Sequence, residues 1–232
     1  MATQPGPRAL LNRHGYAIVP RVFDRAAVDR LIDLLPDLGD AGGTRTLLEQ
    51  DWARELASSP EVIQLVRKVR YQSVLRPTRA ILFDKNPTAN WALGWHQDQV
   101  TAMPDRFDAR GFTQWSEKEG TWHCRPPRQI QELGLAVRIH LDDCGPDNGP
   151  LWVLPGTHKD GYRKAPAPAE LQRKVTCTCS AGDVILMKPL LFHASGKAES
   201  PSHRRVIHVE YIDPLAVTAC LLKAMLSGRT AG

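Results

Sequence analysis

No stretch of this chain approaches the ~20 consecutive apolar residues that a membrane-crossing helix requires. Its first eight residues, Met1-Ala2-Thr3-Gln4-Pro5-Gly6-Pro7-Arg8, lack the apolar core of a secretory signal. Together these absences predict a cytoplasmic protein with no membrane partner. Cysteine is sparse and odd in number: Cys124, Cys144, Cys177, Cys179 and Cys220. None stands in a Cys-x-x-Cys pair, so neither a disulfide framework nor a zinc finger is indicated. Cys177 and Cys179 read as reduced thiols sharing one face of a strand. Basic residues form no run of five, although the net charge is +5. Scattered positive charge fits anionic small molecules and argues against nucleic acid as a partner. Internal repeats are also lacking, and oligomeric state is not readable.

What is present suits one domain. The chain has 232 residues and is 42% hydrophobic, enough for a real core, while six tryptophans and 18 prolines point to a shaped, loop-rich protein. Residues 1–70 read as a largely helical part. Residues 1–8 are polar and expected to fray. Gly15–Pro20 forms a short strand closed by proline. Asp24 caps a helix running to about Leu35, a second covers Asp51–Ala57, and Ser58 or Ser59 caps a third over Pro60–Val69. From Tyr71 the character changes to short β-rich runs: Ser73–Leu75, Arg79–Phe83, Gly134–Leu141, Leu151–Leu154, Val175–Cys179, Asp183–Lys188 and Arg205–Ile212. Turn residues separate them and long helices do not, so residues 71–215 predict a mainly β sandwich or barrel with flanking helices. Ala216–Leu226 is a short terminal helix. Residues 100–133 show little periodicity and read as a long loop inserted in the domain, the natural lid.

Trp95-His96-Gln97-Asp98-Gln99 carries the chemistry. On an extended chain His96 and Asp98 point to one side, so an imidazole and a carboxylate can reach one metal ion. His193 is the candidate third ligand. The set would form a facial triad that leaves three positions of an octahedral iron(II) open. Eleven residues later stands Arg204, a fixed cation able to grip a carboxylate bidentately. In Gly134–Leu141, Arg138 and His140 alternate with Val137 and Ile139 and share the opposite face.

Further motifs accompany these in a fixed order. Gly15–Pro20, Trp95–Asp98, Leu141-Asp142-Asp143, Asn148-Gly149-Pro150-Leu151, Pro155-Gly156-Thr157-His158-Lys159, Ala181-Gly182-Asp183, His193–Gly196 and Arg204 follow one another. From about residue 9 to 214 the chain resembles the phytanoyl-CoA dioxygenase family of iron(II)- and 2-oxoglutarate-dependent oxygenases. The resemblance implies a double-stranded β-helix, a jelly-roll barrel of the cupin kind. It also implies His96, Asp98 and His193 as iron ligands, Arg204 on the distal carboxylate of 2-oxoglutarate, and a Ser195 hydroxyl that helps hold this cosubstrate.

Dioxygen is then the oxidant and a C–H bond of a small molecule the target, and the Arg138/His140 pair with the basic charge favours an anionic one, carboxylated or phosphorylated. Related halogenases have a small residue in place of the carboxylate, so Asp98 favours hydroxylation. The resemblance also sets Arg138 and His140 at the barrel mouth. Arg138 departs from the tryptophan common there and could reach 2-oxoglutarate or an anionic substrate. Trp152, Lys85 and Trp115 are candidate substrate contacts. Trp91, Trp95, Trp122 and His123 could extend an aromatic wall, with packing the simpler role for each. Two other classes stay open: a metal-binding barrel without catalysis, and a zinc hydrolase on the same ligands, which leaves Arg204 unexplained.

Overall fold

Helical order in the N-terminal part has local causes. The computed structural model describes residues 5–70 and 74–227. The first helix, α1 (Pro7–His14), carries proline in its first turn and ends at Gly15, whose φ of 86° lets its N–H close onto the Leu11 carbonyl. Residues 7 and 8 are thus a helical turn and not a frayed end. β1 (Tyr16–Val19) follows, then α2 (Arg25–Asp33), capped by Asp24, whose carboxylate accepts the Ala27 N–H at 2.7 Å. A two-residue strand, β2 (Gly43–Thr44), precedes α3 (Asp51–Ala57) and α4 (Pro60–Val69). Ser59 is the cap of α4. Of the expected strand Ser73–Leu75, Ser73 lies outside the described residues, while Val74 and Leu75 precede the next strand without joining it.

The β part begins with β3 (Arg76–Lys85) and β4 (Leu93–His96). Next come β5 (Thr101–Met103), β6 (Thr113–Lys118), β7 (Thr121–Arg125) and α5 (Arg128–Leu133). After them run β8 (Leu135–His140), β9 (Leu151–Val153), α6 (Pro168–Leu171), β10 (Val175–Cys177) and β11 (Val184–Met187). The chain closes with β12 (His193–Ser195), β13 (Arg204–Ile212) and α7 (Pro214–Ser227).

Six strands make one antiparallel sheet in the order β1-β11-β8-β13-β3-β2, and four make a second, β10-β9-β12-β4. This is a mainly β jelly roll, and the two sheets face each other across the site. Period-2 alternation on the large sheet decides what goes where. Ala80, Leu82, Val137, Ile139, Ile207 and Val209 turn outward and join the core beneath α2, α3 and α4. The same strands therefore send the alternate residues, Ile81, Phe83, Arg138 and His208, to the inside. The Tyr211 hydroxyl donates to the Ala57 carbonyl at 2.7 Å, fastening the helical layer to β13.

The 100–133 segment is not the loop that its aperiodic sequence suggested. Its strands form a third sheet, β5-β7-β6, closed by α5. A register shift between Thr113 and Ser116 breaks the alternation that would have announced it.

Candidate metal and cosubstrate site

The pairing of β4 with β12 sets His96 directly opposite His193. Their rings lie 4.1 Å apart, centroid to centroid. Asp98, two residues beyond His96, turns to the same side: Asp98 Oδ1 is 3.9 Å from His96 Nε2 and Oδ2 is 3.7 Å from His193 Nε2. One ligand atom from each of the three lies within 4.8 Å of the others. Gln97 points the opposite way and pins the strand. Its amide donates to the carbonyls of Gly161 (2.9 Å) and Leu190 (2.8 Å), and its oxygen accepts the Arg163 N–H at 2.8 Å.

Both imidazoles are held in one tautomer. His96 Nδ1 lies 2.7 Å from the Gly94 carbonyl and His193 Nδ1 lies 2.9 Å from that of Leu191. A carbonyl only accepts, so each Nδ1 carries a proton, which leaves each Nε2, on the Asp98 side, as the atom that a metal would take. Burial, opposed by the nearby Asp98 charge, pushes His193 down to about 4. Burial also works against ionisation of Asp98, but His193, His208, His96 and Arg79 outweigh it and hold the carboxyl below its ordinary range. Neutral imidazole and ionised carboxylate are the states in which these groups bind a metal.

Facing the triad is one surface of the large sheet. Cross-strand register aligns Lys85 with Arg204, Phe83 with Val206 and His140, Ile81 with His208 and Arg138, and Arg79 with Glu210. Lys85 is fully buried and donates to Ser195 Oγ at 3.1 Å and to the Gly196 carbonyl. Arg204 is 3% exposed and Arg138 is 6% exposed, and among the described residues neither has a carboxylate within salt-bridge distance. The Nε of each, and both ring nitrogens of His140, have no hydrogen-bond partner. Burial lowers Arg204, and burial together with Arg204 lowers Arg138 to about 10. Burial, then Arg204, brings Lys85 down to about 8, and burial with both arginines pushes His140 down to about 3.

The neighbouring Arg205 shows the contrast. It is clamped bidentately by Asp142 at 2.8 and 2.7 Å on the opposite face, as a surface charge should be. Buried cations without counter-ions are costly unless an anion arrives. The orphaned donors around Arg204 therefore fit a carboxylate-bearing cosubstrate.

A second group of ligand-type residues, Asp98, His208 and Glu210, also lies within 4.8 Å. It is already satisfied. Arg138 donates to His208 Nδ1 at 3.0 Å, so the His208 proton sits on Nε2, 3.4 Å from Glu210 Oε1. Arg79 pairs with the same Glu210 oxygen and reaches His123 Nε2 at 3.3 Å. Burial opposes ionisation of Glu210, but the His208 hydrogen bond and Arg79 prevail and keep its carboxyl below the usual range. This is a hydrogen-bond network and not a second cation cradle. Sequence reasoning missed Arg79, His208 and Glu210. The signal was available, since counting by twos from Arg204 along β13 reaches both His208 and Glu210.

Of the candidate residues, His96, Asp98, His193, Ser195, Arg204 and Arg138 line one cavity, and Trp91 borders it. Lys85 adjoins it through Ser195. Three expectations are corrected. His140 shares the row of Phe83 and Val206, between the rows of Arg204 and Arg138, and is not among the residues that line the cavity. Trp152 turns away from it: Leu151 and Val153 take the inner face, and the Trp152 ring lies outside under Lys174 Nζ, 4.3 Å from the ring centroid. Trp115 packs against Phe107 and Trp122, with centroids 5.0 and 6.4 Å away, in the separate cluster of the third sheet.

The family model described as phytanoyl-CoA dioxygenase matches residues 11–206. The chain belongs to the phytanoyl-CoA dioxygenase family. Iron(II), 2-oxoglutarate and dioxygen are the cofactors of these enzymes, and the donor set above fits the first two. Phytanoyl-CoA dioxygenase 1 of Oryza sativa subsp. japonica is 28% identical over 109 residues, covering 41% of this chain and 37% of that protein. The match thus spans little more than a third of that relative's length. The solved structure of AviO1 from Streptomyces viridochromogenes Tue57 is 25% identical, covers 90% of this chain and 94% of that one, and superposes with a TM-score of 0.61. The epimerase SnoN, in complex with Fe3+, alpha ketoglutarate and nogalamycin RO, is 20% identical over 89% of this chain and 82% of its own, with a TM-score of 0.63. At that identity the likeness is one of fold. Among the described residues no helix is long and apolar enough to cross a membrane.

Proposed function

We propose that this protein hydroxylates an unactivated C–H bond of a small molecule, so that R–H, dioxygen and 2-oxoglutarate give R–OH, succinate and carbon dioxide. One observation carries the reading. A His-Asp-His triad and a buried guanidinium without a carboxylate partner share one cavity. Iron(II) held by His96, Asp98 and His193 would supply the dioxygen activation.

The chain's own residues do the rest. The Nε2 atoms of His96 and His193 and the Asp98 carboxylate hold the metal on one side and leave the large-sheet side open. Arg204 grips the distal carboxylate of 2-oxoglutarate, with the Ser195 hydroxyl and the Lys85 ammonium beside it. Arg138, anchored to His208, adds positive charge at the same end and receives a dianion better than Arg204 alone would. The Arg79–Glu210–His208 network lines the cavity, and the Arg79 charge in it helps keep Asp98 ionised.

Arg138 and His140 had suggested an anionic substrate. With Arg138 and Arg204 on one cavity and His140 not lining it, that charge is used by the cosubstrate, and the substrate need not be an anion. Nor does the pair of unpaired arginines suit the zinc-hydrolase alternative, which has no use for them. Incubation of the iron(II)-loaded chain with 2-oxoglutarate in air tests the reading. Succinate formed at the expense of 2-oxoglutarate is expected, and one atom of labelled dioxygen should appear in product. Bound iron with no succinate contradicts the oxygenase; an epimerised or ring-closed product without added oxygen contradicts hydroxylation alone.

A further inference from the structure

The cavity at the triad is small, about 70 Å3, and its cationic end is taken by the cosubstrate. The body of a substrate must lie outside it. Two larger clefts share walls with it. One, of about 350 Å3, has Ile81, Phe83 and Trp91 in common with it and is walled further by Gly42, Gly43, Thr44 and Arg45. The other, of about 260 Å3, has Arg79 in common with it and also holds Thr46, Lys118 and His123. Arg45 and Glu119 line both clefts. They stand between them as an ion pair 3.6 Å long, with side chains 60% and 49% exposed. A pair this exposed contributes at most about 1 kcal/mol. Its partners can be exchanged for those of a ligand, and the clefts then form one groove between residues 42–49 and the β6–β7 hairpin.

The chemistry of this groove differs from that of the cosubstrate end. Most of its charges are in pairs, Arg45 with Glu119, Arg79 with Glu210 and Arg54 with Asp51, and the two that remain, Lys118 and Glu49, are opposite in sign. It holds nothing like the unpaired Arg204 that would call for an anion. One rim is β2, the last strand of its sheet, so among the described residues backbone N–H and C=O groups on its outer edge have no strand partner. Trp91 stands at the junction with the triad cavity, its ring so close to Gly42 that a β-carbon there would collide with it. An aromatic ring at the joint, balanced charges and an open strand edge along the walls suit a ring compound bearing many hydroxyls.

We propose that this groove is the substrate site, and that it takes a molecule of more than one ring, multiply hydroxylated and without net negative charge. One ring would lie against Trp91, and its hydroxyls would take hydrogen bonds from Arg45 and give them to Glu119. The proposal rests on the oxygenase reading above and names its substrate class.

The test uses the full iron(II)-loaded chain. The visible band of its 2-oxoglutarate complex is recorded first, because loss of that band would be a failure of the oxygenase reading and not of the groove. Succinate release is then measured with three probe sets of similar length: methyl glycosides of uncharged di- and trisaccharides, linear polycarboxylates, and unsubstituted fused aromatics. Stimulation by the glycosides is expected, with Arg45→Ala and Glu119→Ala each raising the half-saturating probe concentration at least tenfold while the maximal rate changes less than threefold. With the band intact, stimulation confined to the other two sets, or none by any set, overturns the proposal. So does glycoside stimulation that is unchanged in both variants.

Discussion

Arg204 and Arg205 are adjacent, alike in sequence and opposite in fate. Arg205 is neutralised by Asp142 on the outside, whereas Arg204 is buried with no carboxylate partner. Strand alternation made that difference legible in the sequence, because neighbours on a strand face opposite ways. The missing counter-ion was not legible, since it depends on what other strands bring near. Two predictions follow the charge. Arg204→Met should weaken 2-oxoglutarate binding by about 2–5 kcal/mol, roughly 30-fold or more in Kd. The same change should leave the protein without cosubstrate as stable as wild type or more so, because it removes an unpaired buried charge. Calorimetric titration and a melting curve check both halves, and a lowered melting temperature together with unchanged affinity would contradict them. Lys85 gives a pH dependence. Its pKa is depressed to about 8, so below that value it is charged and helps hold the dianion. Affinity for 2-oxoglutarate should therefore fall as pH rises through about 8. In Lys85→Met the affinity should be weaker throughout and that limb absent.

Among the elements, helices α2 and α4 could be read from caps and apolar spacing, since each is decided within a few residues of itself. β12 could not. His193-Ala194-Ser195 is a three-residue strand with no alternating run to announce it, and it exists because β4 and β9 flank it. The β5-β7-β6 sheet was hidden by its register shift and by Trp115, Trp122 and Phe107, which pack on one another and not on the main core. Gln97 was overlooked between two ligands, although it holds the segment that carries them. Gln97→Leu leaves the carbonyls of Gly161 and Leu190 and the Arg163 N–H without their partner. It should cost about 1–3 kcal/mol per buried group left unsatisfied and weaken iron binding about 10- to 100-fold. Thermal unfolding and a competition titration for iron(II) measure these two effects. Iron affinity equal to wild type would show that the segment is positioned by something else.

At the scale of the whole molecule, the jelly roll sorts chemistry by face. Outward residues of the large sheet meet the helical layer and form the core, and inward residues of β3, β8 and β13 meet the triad carried by the small sheet. The motif order along the chain pointed to this architecture, because Trp95–Asp98, His193–Gly196 and Arg204 bring residues from β4, β12 and β13 to one cavity. What order alone could not supply is the balance of charge across that cavity: one carboxylate and two imidazoles on one wall, cations without carboxylate partners on the other, and balanced charges in the groove beyond. The central claim is that the two walls together bind iron(II) and 2-oxoglutarate as one unit. Anaerobic addition of iron(II) and then 2-oxoglutarate, followed in the visible range, tests it most directly. A weak band should appear only after the second addition and be absent from Asp98→Ala and Arg204→Met at the same concentrations. Folded wild-type protein that binds iron yet gives no band, or variants that give the full band, would contradict the account.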